Sequence, residues 1–359
     1  MDWIFRYSLA GLTALILSLI FTFLCKKIAW KFNFLDKPQD QDHKNHSDAT
    51  PLLGGMAIFL SWVLTIFIGI LVAKYSESFN HITENLIGIF SVLDNIIYIG
   101  IGALLAVSLG LFDDKFNMSA KVKLAGQILI AVIAVYLGEV KISLFLNIPI
   151  LPDLISVFWI LFVINAFNFF DNMDGLAVGT STIATALFTI AAAINQQYFV
   201  ATLGIVTTGA TLGFWFYNYN PASIFMGDSG SHFLGFILAV LSINVTYYIP
   251  ETTTSTIPIL IPLFILAIPL FDTFAVTVIR LKNGKPIYIG DNNHISHRFV
   301  SMGMTRKKAV FFVHSLTLII GLGVLPLIWG DIKTTILLVI QALAILFMIS
   351  KLQYLIKEK

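Results

Sequence analysis

Charge is scarce in this chain. Asp, Glu, Lys and Arg make up 12% of its 359 residues, about half the ~25% usual in soluble proteins. With 57% of the residues hydrophobic, an ordinary water-facing enzyme is excluded. Cysteine is nearly missing. Cys25 stands alone, which rules out an intramolecular disulfide and a Cys-rich zinc site. No Walker-type loop and no Gly-x-Gly-x-x-Gly run occurs, so ATP and dinucleotide folds find no support. Tandem repeats, low-complexity tracts and the alternating pattern of a transmembrane barrel are absent as well.

What the chain has in quantity is long apolar runs. Length alone suggests roughly two domains, but hydropathy overrides it. Runs of about 17 residues or more, long enough for a ~30 Å hydrocarbon core, recur almost end to end. Eleven candidate spans centre on Ile16, Trp62, Leu104, Ile130, Ile160, Leu187, Val206, Leu238, Leu266, Leu318 and Ala342. Unpaired backbone is not tolerated in lipid, so the spans are read as helices. The expected fold is all-α: one polytopic membrane domain over residues 1–359 with about 11 transmembrane helices. Pro149 and Pro152 interrupt the start of the fifth span. Lys26 and Lys27 follow the first run, Leu9 to Leu24, with no small-x-small cleavage site. A retained span is therefore expected rather than a secretory signal.

Charge placement orients the spans. Eleven crossings put the segments Lys26–Pro51, Asp113–Lys123, Asn168–Gly175, Asn218–Gly230, Arg280–Lys308 and the tail from Lys351 on one face. That face holds 18 of the 22 Lys and Arg residues, and only Arg6, Lys74, Lys141 and Lys333 lie on the other. The positive-inside rule makes the rich face cytoplasmic, with the N-terminus outside and the C-terminus inside.

Four polar clusters share that face. Asp113 and Asp114 end the third span. Adjacent carboxylates repel unless a cation or donor is near, and acids are unfavourable at a helix C-terminus. They read as a base, a magnesium ligand or one of each, against a solvated helix end. Asn168, Asp171 and Asp174 are spaced three apart, which on a helix places them near one stripe. The stripe suits a metal or the hydroxyls of a sugar and nucleoside, and the competing reading is an Asx-rich turn closed by Gly175. No basic residue in that segment offsets its acids.

Asp228 lies between glycines before the eighth span, in Asn218-Tyr-Asn-Pro-Ala-Ser-Ile-Phe-Met-Gly-Asp-Ser-Gly-Ser231. Asp228 or Ser229 is read either as the cap of that helix or as part of a phosphate site at its N-terminus. In the second case Asp228 holds Mg²⁺ against a diphosphate, because magnesium takes one or two carboxylates plus phosphate oxygens. Phe225 is read as stacking on a base or as packing. The fourth cluster, Asp291-Asn-Asn-His-Ile-Ser-His-Arg298, brings His294, His297 and Arg298 together for phosphate or uridine binding or proton relay, against a solvated histidine pair in a loop. Its spacing is not that of a zinc site. Lys121 and Lys123 follow a candidate cap at Ser119 and read as a phosphate clamp or a positive flank. Asp272 inside the ninth span is a functional candidate by its depth alone, or else pairs with a neighbouring span.

Taken together these motifs resemble the polyprenyl-phosphate N-acetylhexosamine-1-phosphate transferases, which start peptidoglycan, teichoic-acid, O-antigen and enterobacterial common-antigen assembly. The resemblance covers about residues 36–299. It rests on Asp36-Lys-Pro38 with Pro51-Leu-Leu-Gly-Gly55, Asp113-Asp114, Asn168-Phe-Phe-Asp171 with Asp174-Gly175, Phe225-Met-Gly-Asp-Ser-Gly-Ser231, and the His294 segment.

The resemblance implies transfer of a sugar-1-phosphate from a UDP-sugar to undecaprenyl phosphate, with UMP released. It implies Mg²⁺, with Mn²⁺ an allowed substitute, and a bacterial inner-membrane enzyme whose site lies at the cytoplasmic boundary. Donor, acceptor and bilayer are the expected partners, with a homodimer allowed and no nucleic acid. By the same resemblance Asp228 and Asp114 are metal candidates, and Asp113, Asp114, Asp171 and His294 are catalytic candidates. Lys121, Asn168, Asp174, Asn218, Phe225, His297 and Arg298 are expected to bind substrate.

The Asp36-Lys-Pro38 start, the basic His294 loop and eleven spans are similar to the UDP-N-acetylglucosamine branch, with the phospho-muramoyl-pentapeptide branch ranked second. The chain departs at Ser296, where the family often carries a histidine. An ion-coupled transporter would need acids in several span centres, and here Asp272 is the clear candidate.

Overall fold

The computed structural model describes residues 2–37, 49–75, 92–142, 148, 150–245, 260–287, 293–329 and 332–354. Pro38 and Asp291 lie outside them. The described chain is helical apart from one short ribbon. That ribbon pairs β1 (Leu35–Asp36) antiparallel to β2 (Thr50–Pro51), with Leu35 opposite Pro51 and Asp36 opposite Thr50.

Before and after the ribbon come α1 (Asp2–Lys31) and α2 (Gly54–Tyr75). They are followed by α3 (Leu93–Phe116), α4 (Ala120–Tyr136), α5 (Leu151–Phe170), α6 (Leu176–Ile194) and α7 (Tyr198–Asn218). The remaining helices are α8 (Gly227–Asn244), α9 (Ile261–Ile265), α10 (Ala267–Lys282), α11 (Ile295–Ser301), α12 (Arg306–Val324) and α13 (Ile332–Tyr354). Ten of the eleven expected span centres fall inside these helices, and Leu266 sits at the break between α9 and α10. Eight of the helices are long and apolar enough to cross a membrane. The protein is an all-α, multi-pass membrane protein.

The packing order explains which helices carry the site. Helix α8 is the axis of the bundle, with every residue from Ser229 to Ser242 buried, and α3, α5, α2 and α6 pack around it. Small residues let this happen at its first turn. A β-carbon on Gly110 of α3 would overlap the Asp228 carbonyl and the Ser229 amide, and one on Gly55 of α2 would overlap Gly230. Peripheral helices instead expose large apolar side chains, such as Leu9, Ile16 and Phe23 on α1 and Leu337, Leu343 and Phe347 on α13. In a multi-pass protein that surface faces lipid.

Two local expectations change. Pro152 does not interrupt α5 but sits in its first turn, where a missing N–H costs nothing. Asn168, Asp171 and Asp174 do not share a helical stripe. Helix α5 ends at Phe170, Asp171 is its C-cap, and Gly175 turns the chain into α6 with φ of 75°. The segment is therefore a turn, which bears on its shape and not on which ligand its acids take.

Candidate active site at one end of the bundle

The motif-bearing ends of α2, α3, α4, α5, α7 and α8 meet. The Pro51–Gly55 segment is hydrogen bonded onto the Phe225–Met226 segment: Phe225 N donates to Pro51 O (2.8 Å), Gly54 N to Phe225 O (3.0 Å) and Gly55 N to Met226 O (2.9 Å). Motifs about 170 residues apart in sequence are thereby one piece of backbone.

At the centre is Lys123 of α4. Its Nζ lies 2.6 Å from Asp113 Oδ2 and 2.6 Å from Asp228 Oδ2, and it also donates to Asn168 Oδ1 at 3.3 Å. Asn168 Nδ2 donates to Asp228 Oδ1 (2.8 Å) and to Ser231 Oγ (2.9 Å). Asp113 is buried and its Oδ1 accepts Met118 N at 2.8 Å, so a solvated helix end is excluded. Lys121, two residues before Lys123, is exposed. The structure therefore brings Lys123, not Lys121, to the carboxylates, because a two-residue step on a helix turns the side chain to another face. Ser119 occupies the N-cap position without a capping side-chain bond.

Asp114 faces α8 from the other side. Its Oδ1 accepts Asp228 N (2.7 Å) and its Oδ2 accepts Ser229 N (3.1 Å). The first amides of α8 are thus held by a carboxylate from α3. Neither Asp228 nor Ser229 is the cap, since Met226 precedes the helix and Asp228 lies within its first turn. Gly227, with φ of 71°, passes close to the Asp114 carboxylate in a conformation that favours glycine.

Below Asp228 runs a buried polar chain that sequence reasoning did not single out. Asn165 Nδ2 donates to Gln127 Oε1 (2.8 Å), Gln127 Nε2 lies 3.0 Å from His232 Nε2, and His232 Nδ1 lies 2.6 Å from Asp228 O. The directions follow from the acceptors. A carbonyl can only accept, so His232 Nδ1 carries a hydrogen; Gln127 Nε2 then donates to His232 Nε2. The available signal was three polar residues inside otherwise apolar helices.

The other expected residues fall in two groups. Asn218 is buried and structural in its contacts, accepting Gly175 N (2.9 Å) and donating to Ile224 O (2.9 Å). Asp174 Oδ2 accepts Asn220 Nδ2 (2.8 Å) and Ala222 N (3.1 Å), bracing the same turn. Phe225 is half-buried. The His294 segment joins from the α10–α11 side: Ser296 Oγ donates to Asn172 Oδ1 at 2.6 Å, and the Arg280 guanidinium lies over the Phe169 ring at 5.4 Å. His297 and Arg298 follow on α11, both half-buried. Asp272 pairs with His294 at 2.7 Å, the residue that precedes α11 and not one on a neighbouring span.

Asp171 stands apart. Its carboxylate accepts no hydrogen bond among the described residues, and burial together with the charges of Asp228, Asp114 and Asp174 pushes its pKa up to about 8. Of the acids gathered here, Asp113 and Asp228 share Lys123, while Asp114 is bonded to backbone amides. This excess of hard oxygen donors fits a divalent ion such as Mg²⁺. No three carboxylate or imidazole groups among the described residues are arranged as a metal cage.

The fold and site define a multi-pass membrane protein with an acidic, lysine-centred site where its helix ends converge. Residues 96–246 match the family model described as glycosyl transferase family 4. The chain is 31% identical to the probable undecaprenyl-phosphate N-acetylglucosaminyl 1-phosphate transferase of Bacillus subtilis (strain 168), over 99% of this chain and 94% of that protein. It is 26% identical to the decaprenyl-phosphate N-acetylglucosaminephosphotransferase of Mycobacterium tuberculosis (strain ATCC 25618 / H37Rv), over 94% and 86% respectively. The phospho-N-acetylmuramoyl-pentapeptide-transferase of Bacillus anthracis is 31% identical, but over 59% of this chain and 67% of its own. The chain belongs to glycosyl transferase family 4 and is an enzyme of its phosphotransferase kind.

Proposed function

We propose that the enzyme transfers an N-acetylhexosamine-1-phosphate, N-acetylglucosamine-1-phosphate first among them, from a UDP-sugar to undecaprenyl phosphate and releases UMP. The observation that carries this is Lys123 held between Asp113 and Asp228 with Asn168 alongside. A phosphate-to-phosphate transfer needs fixed cations and a divalent ion where anionic groups approach, and this cluster supplies one cation amid an excess of acid. Near full-length similarity to an N-acetylglucosaminyl 1-phosphate transferase supports the donor. The muramoyl-pentapeptide reading has a relative over little more than half of the chain.

In this proposal Asp228, with Asp171 beside it, holds Mg²⁺, which neutralises phosphate charge and orients the two substrates. Asp114 serves the metal only indirectly, by fixing the first turn of α8. Lys123 and Arg298 face phosphate oxygens, while Phe225, Asn218 and Asp174 shape the nucleotide side. The polyprenyl tail is apolar and its head ionic, so the reaction belongs at the membrane boundary. The eleven-span topology, the cytoplasmic placement of the site in a bacterial inner membrane and a single domain over 1–359 go with this reading, supported by the asymmetry of Lys and Arg.

The test is UMP release by purified protein with undecaprenyl phosphate and Mg²⁺, offering UDP-N-acetylglucosamine, UDP-N-acetylgalactosamine and UDP-muramoyl-pentapeptide separately. UMP from the first, abolished by EDTA, is the expected result. UMP only from the pentapeptide donor would transfer the enzyme to the other branch. No UMP from any of the three would overturn the proposal.

A further inference from the structure

Asp272 is a carboxylate in the body of α10 with 1% of its surface exposed, and His294, N-terminal to α11, is 4% exposed. Both Asp272 oxygens are used. Oδ2 lies 2.7 Å from His294 Nδ1, and Oδ1 accepts Ile295 N at 2.6 Å. A buried acid that grips both a side chain and the next residue's amide fixes that side chain's position and its rotation. It also fixes the proton. With Oδ1 accepting the amide, Oδ2 as an acceptor takes the ring hydrogen on Nδ1 and leaves Nε2 as the remaining nitrogen.

Nε2 has no hydrogen-bond partner among the described residues. The segment is tied to the site by Ser296 Oγ donating to Asn172 Oδ1, next to Asp171. Ser296 acts as that tie. The neighbouring ring of His297 stands 6.5 Å away and tilted, leaving Asp272 as the group that holds His294.

We propose that Asp272 is a positioning residue that acts through His294, fixing the ring with Nδ1 protonated and presenting Nε2 to a phosphate oxygen of the substrates. The proposal rests on the transferase reading above. In the step it serves, Nε2 takes the proton of an acceptor P–OH, and the electron pair stays on that oxygen. The oxygen forms a bond to the sugar-bearing phosphorus of the donor, whose bond to the UMP oxygen breaks with its pair on UMP. The imidazolium then returns its proton to UMP or water. A pure packing role for Asp272 would not require this proton arrangement.

Asp272→Asn separates the two. An amide has one acceptor, so it cannot satisfy both Ile295 N and His294 Nδ1–H; keeping the first turns an N–H towards Nδ1 and moves the ring proton to Nε2. The wrong tautomer in intact geometry is the known route to a large loss in Asp–His pairs. Expected are a fall in kcat of ~10²-fold or more, donor KM within about twofold and an unchanged thermal midpoint. In a His294→Gln background the same substitution is expected to cost nothing further, because the two residues act as a unit.

Near wild-type turnover in Asp272→Asn, or an equal extra loss in the His294→Gln background, would overturn the proposal. Should Asp272→Asn fail to fold, ¹⁵N NMR of histidine-labelled wild-type protein decides: hydrogen on Nδ1 of His294 supports it, hydrogen on Nε2 alone rejects it. Wild-type protein that releases no UMP would instead sink the transferase reading, while the NMR result would still report on the pair.

Discussion

Both oxygens of Asp114 are spent on backbone: Oδ1 accepts Asp228 N at 2.7 Å and Oδ2 accepts Ser229 N at 3.1 Å. A carboxyl group from α3 therefore supplies what a capping side chain would supply from within α8. Asp114→Ala leaves two amides without acceptors, at about 1–3 kcal/mol for each group that stays buried. Asp114→Asn retains one acceptor and should lose less. Denaturant or thermal midpoints in detergent check the order. Equal stability of all three proteins would remove the capping role.

Lys123 and Lys121 should separate cleanly. Lys123→Met deletes the cation shared by Asp113 and Asp228, and turnover is expected to fall ~10²-fold or more, the scale of losing one electrostatic stabiliser. Lys121 is exposed, and Lys121→Ala should stay within a few-fold of wild type. Measuring kcat for both variants is sufficient. The reverse ranking would show that the cluster has been assigned to the wrong lysine.

Asp171 gives the metal-free protein a pH dependence. Its folded pKa is raised from 3.8 to about 8, so the folded state binds a proton more tightly than the unfolded chain. The stability this contributes is fully present below about pH 4 and is lost as pH rises through about 8. Metal-free protein should therefore show a thermal midpoint that declines over that window, more steeply than Asp171→Asn. Mg²⁺ should restore stability at the alkaline end and release a proton on binding near neutral pH. A flat profile in wild type, or no difference from Asp171→Asn, would refute the assignment.

Gln127 has no substrate-facing part, yet it joins Asn165 to His232 beneath Asp228. Gln127→Leu keeps the volume and breaks both links. The apparent affinity for Mg²⁺ is expected to weaken by ~10-fold or more, as when partners of a metal-ligating group are removed, with donor KM little changed. Mg²⁺-dependent shifts in thermal midpoint read this independently of turnover. An unaltered Mg²⁺ response would make the chain a helix-packing device alone.

Several of these features could be read directly in the sequence. Apolar runs located helices at ten of the eleven centres, because hydrophobic length is a local property. The Asp-rich and glycine-rich motifs named Asp113, Asn168, Asp171 and Asp228 as a site, since paired acids and Gly-flanked carboxylates are unusual in a chain only 12% charged. The stripe expected for Asn168, Asp171 and Asp174 was not realised, because a spacing of three is meaningful only while the helix continues, and α5 stops at Phe170.

The rest depended on which helix ends meet. Sequence alone determined that this is a membrane-embedded helical protein with its chemistry gathered in a few polar segments, because each follows from composition and near-neighbour pattern. Tertiary structure decided that Lys123 rather than Lys121 faces the carboxylates, that Asp114 holds the amides of α8, and that Asp272 holds His294. Those are relations between groups up to 115 residues apart. Their physical origin is the close approach allowed by Gly55 and Gly110 at the first turn of a buried central helix, and distances of that kind are set by packing rather than by spacing along the chain.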